Sequence, residues 1–165
     1  MMVTKPRTGV AVIRSQFRPL IEHAALTRQL DPDLLEAQVL VESSDDPWAF
    51  RFEPAFYDRY LKGKPAGAVW GRLGACSYGL LQIMGVVAQE LGFSGPPTEL
   101  FVPAHNLTWG ALKLARLRDQ CSGDIHAALA AYNGGLVGNV LPPYRNAIYL
   151  QKVLRTRARF EVLHA

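Results

Sequence analysis

The 165-residue sequence lacks any run of about 18 uncharged apolar residues, so nothing in it reads as a bilayer-spanning helix or stable membrane insertion. Its first twenty residues, MMVTKPRTGVAVIRSQFRPL, carry basic groups but no adequate apolar core before Arg14 and no small-residue cleavage site, unlike a secretory signal. Cysteine is scarce: Cys76 and Cys121 have no metal-ligand spacing and read as buried thiols rather than a disulfide. The histidines, His23, His105, His126 and His164, are scattered without acidic or cysteine partners at ligand spacing, which argues against a metal centre. There is no Gly-rich phosphate loop, internal repeat, low-complexity tract or linker. These absences leave one domain over residues 1–165, working as a monomer without cofactors.

What is present is ordinary for a chain that folds: 49% apolar and 19% charged residues. The net charge of +4 suits an anionic partner, whether nucleic acid, membrane headgroups or an acidic wall polymer, and does not choose among them.

Helical spacing dominates between Pro and Gly breaks. Phe17, Ile21, Ala24, Ala25 and Leu26 predict a helix over about 14–29. Asp31-Pro32-Asp33 supplies a cap, a first-turn proline and an acid at the positive helix end, and opens a second helix to about Ser43. Leu35 and Val39, seven and three residues before Glu42, share its side of that helix, so a carboxylate ends an apolar stripe. A short helix at about 54–62 and a Gly-rich loop to Gly74 follow. Leu80, Met84, Val87, Ala88 and Leu91 predict a core helix over about 78–91. Leu107 to Cys121 marks another; Asp124 caps one ending at Asn133-Gly134-Gly135; a last helix follows Pro142-Pro143. The reading is a mostly α fold with at most a two-stranded element inside 44–74.

Glu42 is the sharpest chemical candidate, because cleaving a glycosidic bond needs a carboxyl still protonated near neutral pH, and burial against apolar groups supplies that. A solvent-facing glutamate at a helix end would look the same at this level. Gln82 interrupts an apolar stretch and needs a partner, either neighbouring backbone or a sugar group. Tyr132 and Tyr149 fit core aromatics or hydroxyls that orient a carboxylate.

Taken together and in order, Glu42-Ser43-Ser44, Ser77-Tyr78-Gly79-Leu80-Leu81-Gln82-Ile83-Met84 and Ala130-Ala131-Tyr132-Asn133-Gly134-Gly135 resemble the lytic transglycosylase family, that of the soluble lytic transglycosylases and, more distantly, goose-type lysozyme. Asn106-Leu107 with Gly110, and Tyr149, extend the likeness over about residues 31–155. The resemblance implies a lysozyme-like helical fold with a cleft, and the glycan strand of bacterial peptidoglycan as substrate. It implies Glu42 as catalytic acid, with Ser43, Ser77, Tyr78, Gln82, Met84, Tyr132, Asn133 and Tyr149 as substrate-binding groups. The chain departs from the pattern in the 40 positions between Glu42 and Gln82, longer than in compact members, and in Gly85 for Pro, Gly134 for Ala, Lys113 for an aromatic and Arg145 for Glu.

The implied reaction is 1,6-anhydromuramyl formation, with Glu42 acting first as acid and then as base. Hydrolysis is the nearest alternative, should Asp45, Asp46, Glu53 or Asp58 hold a water. Against that, the first two fit a helix-ending turn, and Glu53 and Asp58 read as ion-paired with Arg51 and Arg59. A non-catalytic wall-binding or virion-structural module is a different class of explanation, opposed by an intact Glu42. So is a basic nucleic-acid binder resting on Lys152, Arg155, Arg157 and Arg159, but no such motif is recognisable. The small size and the Phe50–Pro54 segment suit a phage endolysin or virion-associated enzyme released through a membrane lesion, or a bacterial enzyme without its leader.

Overall fold

The computed structural model describes residues 13–161; most of the segment weighed as a secretory signal, and His164, lie outside the described residues. Helices α1 (Arg18–Thr27) and α2 (Pro32–Ser43) come first. Asp31 accepts from Asp33 N at 2.9 Å and Pro32 occupies the first turn, so α2 starts where its sequence places it. It stops at Ser44 and Asp45, whose φ values of 55° and 66° take the chain out of the helix. Leu35 and Val39 are wholly buried, as the stripe leading to Glu42 requires.

Strand β1 (Phe50–Phe52) precedes α3 (Pro54–Phe56), which continues as a π-helical turn over Tyr57–Leu61 and fills the expected 54–62 helix. Two 3-10 turns, Pro65–Gly67 and Gly71–Ala75, occupy the Gly-rich stretch. Leu61, Ala75 and Val86 form the small core that holds this lobe in place.

Between 76 and 84 the spacing misleads. Instead of a helix over about 78–91, the chain forms β2 (Cys76–Tyr78), a turn and β3 (Ile83–Met84), and helix α4 covers Gly85–Glu90 alone. Gly79 and Gln82, with φ of 64° and 45°, break the helical path. The fully buried Asn106 then takes up backbone groups that a helix would have paired internally: it donates to Tyr78 O at 2.7 Å and Leu100 O at 2.8 Å, and accepts from Leu81 N at 2.8 Å. A Cβ on residue 79 would lie 2.6 Å from Asn106 Nδ2, so glycine is needed for this approach. The sheet is therefore three-stranded, antiparallel in the order β1-β2-β3, and only β1 falls inside the region expected to hold a two-stranded element.

Register decides which side chains face the site. Arg51 pairs with Ser77, and Ser77 with Met84, so these three stand in a row on one face of the sheet. Phe50, Tyr78 and Ile83 form the adjacent row on the other face, where Tyr78 and Ile83 enter a second core with Phe93 and Leu100 and the half-exposed Phe50 packs edge-on to Tyr78.

Helices α5 (Pro103–Gln120), α6 (Ile125–Gly134) and α7 (Ala147–Glu161) complete the fold. Asp124 caps α6, accepting from His126 N at 2.8 Å and Ala127 N at 3.1 Å. The main core joins α1, α2, α5, α6 and α7 through Ile21, Leu35, Leu107, Leu114, Leu129 and Val153. Cys76 and Cys121 are free buried thiols. No helix of the described residues is long and apolar enough to cross a membrane.

Candidate active site

Glu42 enters a cleft from the last turn of α2. Its Oε1 accepts a hydrogen bond from the Tyr149 hydroxyl at 2.6 Å. That hydroxyl in turn accepts from Gln38 Nε2 at 3.1 Å, one turn earlier on α2. Gln38 is fully buried and its Oε1 has no partner among the described residues, so a polar chain runs from the core to the carboxyl.

Two adjoining cavities of about 450 and 300 Å3 share Glu42, Arg51, Gln82 and Asn133. Val41, Arg145, Asn146, Ile148, Tyr149 and Lys152 line the first; Glu53, Phe56, Ser77, Met84, Lys113 and Tyr132 line the second. Together they make one cleft with Glu42 at its middle, flanked by the helices on one side and the small sheet on the other.

Burial raises the Glu42 carboxyl above its ordinary pKa, against the Tyr149 hydrogen bond and the positive charges of Lys113 and Arg51, which pull it down. Burial likewise pushes the Tyr132 and Tyr149 hydroxyls well above the usual range, aided by the charge of Glu42, so both stay neutral donors. Lys113 is pushed down to about 8 by burial, with Glu42 opposing. A carboxyl that is raised yet stabilised when ionised can give a proton and take one back.

A family model described as Transglycosylase SLT domain matches residues 19–142. The chain belongs to the transglycosylase SLT domain family. In fold it is similar to an inactive mutant of the lytic transglycosylase Slt from Pseudomonas aeruginosa, with a TM-score of 0.67 and 21% identity over 91% of this chain and 25% of that one. It is also similar to the 70-kDa soluble lytic transglycosylase in complex with bulgecin A, with a TM-score of 0.65 and 18% identity over 91% of this chain and 25% of that one. The chain thus spans about a quarter of the length of either protein, and the lysozyme-like, mostly helical fold with a small sheet is the part they share.

Glu42, Gln82, Asn133, Tyr132, Ser77 and Met84, all within the matched residues, and Tyr149 beyond them border the cleft. Tyr78 and Ser43 do not line either cavity. Tyr78 belongs to the opposite row of the sheet, where it is buried with its hydroxyl on Leu73 O at 2.8 Å. Ser43 bonds back to Val39 O at 3.1 Å in its own helix. Gln82 Nε2 is satisfied by backbone, donating to Ala49 O and Gly79 O at 3.0 Å each, and its Oε1 makes no hydrogen bond among the described residues. The two tyrosines separate: Tyr149 orients Glu42, whereas Tyr132 donates to Leu81 O at 2.8 Å and gives its ring to Lys113.

The acids after Glu42 are engaged. Asp45 accepts from Ser15 Oγ and from Gln16 N at 3.0 Å, and Asp46 from Trp48 N at 2.9 Å, both in the helix-ending turn. Glu53 pairs with Arg51 at 2.5 Å as expected, but Asp58 pairs with Lys62 at 3.4 Å and not with Arg59. Gln38 was not among the expected site residues, although its spacing of four from Glu42 puts it on the same helix face. Asn146 was also missed; it donates to Ala130 O at 3.2 Å and lies so close to residue 134 that an alanine Cβ there would stand 1.8 Å from its Nδ2. Gly134 in place of alanine makes that room.

Proposed function

We propose that this chain is a peptidoglycan lytic transglycosylase, cutting the β-1,4 bond between N-acetylmuramic acid and N-acetylglucosamine. The observation that carries this reading is the recessed Glu42 carboxyl, held by Tyr149 at 2.6 Å where two adjoining cavities meet. Glu42 gives its proton to the glycosidic oxygen as the bond from the muramyl anomeric carbon breaks. The substrate's own acetamido oxygen stabilises the oxocarbenium-like centre, so no second enzymic carboxylate is needed. Glu42, now ionised, accepts the proton of the muramyl C6 hydroxyl while that oxygen bonds to the anomeric carbon. The product is a 1,6-anhydromuramyl end, and no water is consumed.

Ser77, Gln82, Met84, Tyr132, Asn133 and Tyr149 are the substrate-side groups of this proposal, acting in one catalytic domain. The engagement of Asp45 and Asp46 in a turn, and of Glu53 with Arg51, supports the anhydro reaction over hydrolysis. The site of action is the periplasm or cell wall, where the polymer lies. A part in bacteriophage-driven cytolysis or virion entry fits the same chemistry and is proposed on the long 42–82 connection.

The test is clearing of purified peptidoglycan by the wild type and by Glu42→Gln, an isosteric change that removes the transferable proton. Nearly all activity is lost with the circular dichroism spectrum retained, and mass spectrometry of wild-type digests shows anhydromuramyl ends. Equal clearing by both proteins rejects Glu42 as the acid; reducing muramic acid ends alone assign hydrolysis instead.

A further inference from the structure

Lys113 has no part in the reaction as set out above, yet it occupies costly ground. It stands on the core-facing side of α5, next to the wholly buried Ala111 and Leu114. A lysine there gives up hydration and rotamer freedom that a surface lysine keeps. Its ammonium donates to Tyr132 O at 2.8 Å and lies 3.7 Å from the centre of the Tyr132 ring, so carbonyl and ring face together fix its place. It borders the cleft with Glu42, and no carboxylate of the described residues is within ion-pair distance of it. The ammonium is therefore a fixed charge facing the cleft rather than one half of a salt bridge.

We propose that Lys113 is a positioning residue for the acid–base cycle: its ammonium, pinned by Tyr132, stabilises the carboxylate that Glu42 becomes once its proton has left. This rests on the reading of Glu42 as the acid.

Other groups face Glu42, and they differ in kind. Tyr149 and Lys152 come from α7 and Arg145 from the segment before it; Tyr132 comes from α6; Arg51 and Glu53 come from the sheet side. Tyr132 and Tyr149 are neutral. Arg51 is 68% exposed and paired with Glu53, and Arg145 and Lys152 are exposed, so solvent and salt screen all three. Lys113 is the recessed cation of the set.

The sign follows directly. A positive charge favours ionised Glu42, so removing it keeps the carboxyl protonated to higher pH. Lys113→Met should raise the Glu42 midpoint by about one pH unit, the lower end of what an opposite charge at one site produces. Lys113→Arg keeps the charge and should leave the midpoint near that of the wild type.

The experiment follows the Glu42 side-chain carboxyl by carbon-13 NMR through a pH titration of the full chain without substrate. In parallel, kcat/KM on peptidoglycan is measured against pH. The expected result is an upward midpoint in Lys113→Met, a matching upward move of the alkaline limb, a lower kcat and a KM within about twofold. An unmoved midpoint in a Lys113→Met protein with native circular dichroism overturns the proposal, and so does a raised KM with no change in midpoint. Should Lys113→Met fail to fold, Glu42→Gln supplies the reciprocal test: the Lys113 ammonium, followed by nitrogen-15 NMR, should titrate below its wild-type value, and an unchanged titration overturns the proposal. The NMR readouts need no turnover. A moved midpoint in an inactive wild type would defeat the proposed function and leave the coupling standing.

Discussion

Replacing Tyr149 by Phe removes a single oxygen atom from the junction between Gln38 and Glu42. A hydrogen bond to a charged group contributes about 1.5–3 kcal/mol, and at about 1.4 kcal/mol per pH unit its loss moves a titration by about one to two units. The Tyr149 bond favours the ionised carboxylate, so the direction is upward. The alkaline limb of kcat/KM, where protonated Glu42 is lost, should follow it. The maximal rate should fall by about 10–100-fold, because the carboxylate needed to take the C6 hydroxyl proton is less stable and less fixed in direction. Stability should fall as well, since Gln38 already has one unpartnered oxygen and would now lose the acceptor for its Nε2. An unsatisfied buried group of this kind costs about 1–3 kcal/mol. Part of the loss depends on pH: Glu42 is raised in the folded state, so stability is lost as pH rises from the unfolded carboxylate pKa through the folded one. Tyr149→Phe enlarges that loss at neutral pH and leaves it absent in acid. Thermal melts at pH 4 and pH 7, beside a pH–rate profile, separate the two effects. The double variant Gln38→Leu with Tyr149→Phe removes the orphaned amide and should recover stability, with the alkaline limb still displaced. A folded Tyr149→Phe protein whose limb matches the wild type refutes the reasoning.

Two further variants probe the scaffold. Asn106→Ala deletes three buried hydrogen bonds, two to the turn that carries Gln82 and one to Leu100 O, and should cost about 3–5 kcal/mol in urea denaturation, with clearing activity falling alongside; a loss under about 1 kcal/mol would show that the turn holds without it. Asp124→Ala removes the α6 cap and should cost about 1 kcal/mol, or about 2–4 °C in melting temperature. The backbone hydrogen bond from Ala127, helped by Tyr144 and His126, holds the Asp124 carboxyl below the usual range, so its contribution is present above the ordinary Asp pKa and is lost as pH falls through the lower folded value. The melting temperatures of the wild type and Asp124→Ala should therefore converge in acid; a gap that stays constant down to pH 2 would discount the cap as its source.

The parts of this fold that local rules govern were legible. Asp31-Pro32 and Asp124 act as caps through atoms two or three residues away, and the stripe Leu35, Val39, Glu42 needs nothing beyond helical period. The segment 76–84 was not legible, because Leu80 and Met84 continue the helical spacing of Val87, Ala88 and Leu91, and a side chain more than twenty positions away decides otherwise. Asn106 holds Tyr78 O and Leu81 N, and this makes a hairpin of an apparent helix. The same error hid the row Arg51, Ser77, Met84, which exists only once β1, β2 and β3 are in register. Tyr78, which the resemblance implies as a substrate-binding group, falls on the opposite row of β2, and that alternation cannot be seen in a segment read as a helix.

The electrostatics of Glu42 were illegible for a related reason. Burial comes from the fit of α2 against the rest of the cleft, while the groups that oppose it arrive from elsewhere: Tyr149 from α7, Lys113 from α5 and Arg51 from β1. None is within eight residues of Glu42 in sequence, so no local pattern around it could report the balance. A group that gives a proton in one half of a reaction and takes one in the other is served by neither extreme. Burial alone would make it an acid that will not ionise, and the three opposing groups alone would make it a carboxylate that will not protonate. The working value lies between, and because each contribution comes from a different element, it is held by the packing of those elements on one another.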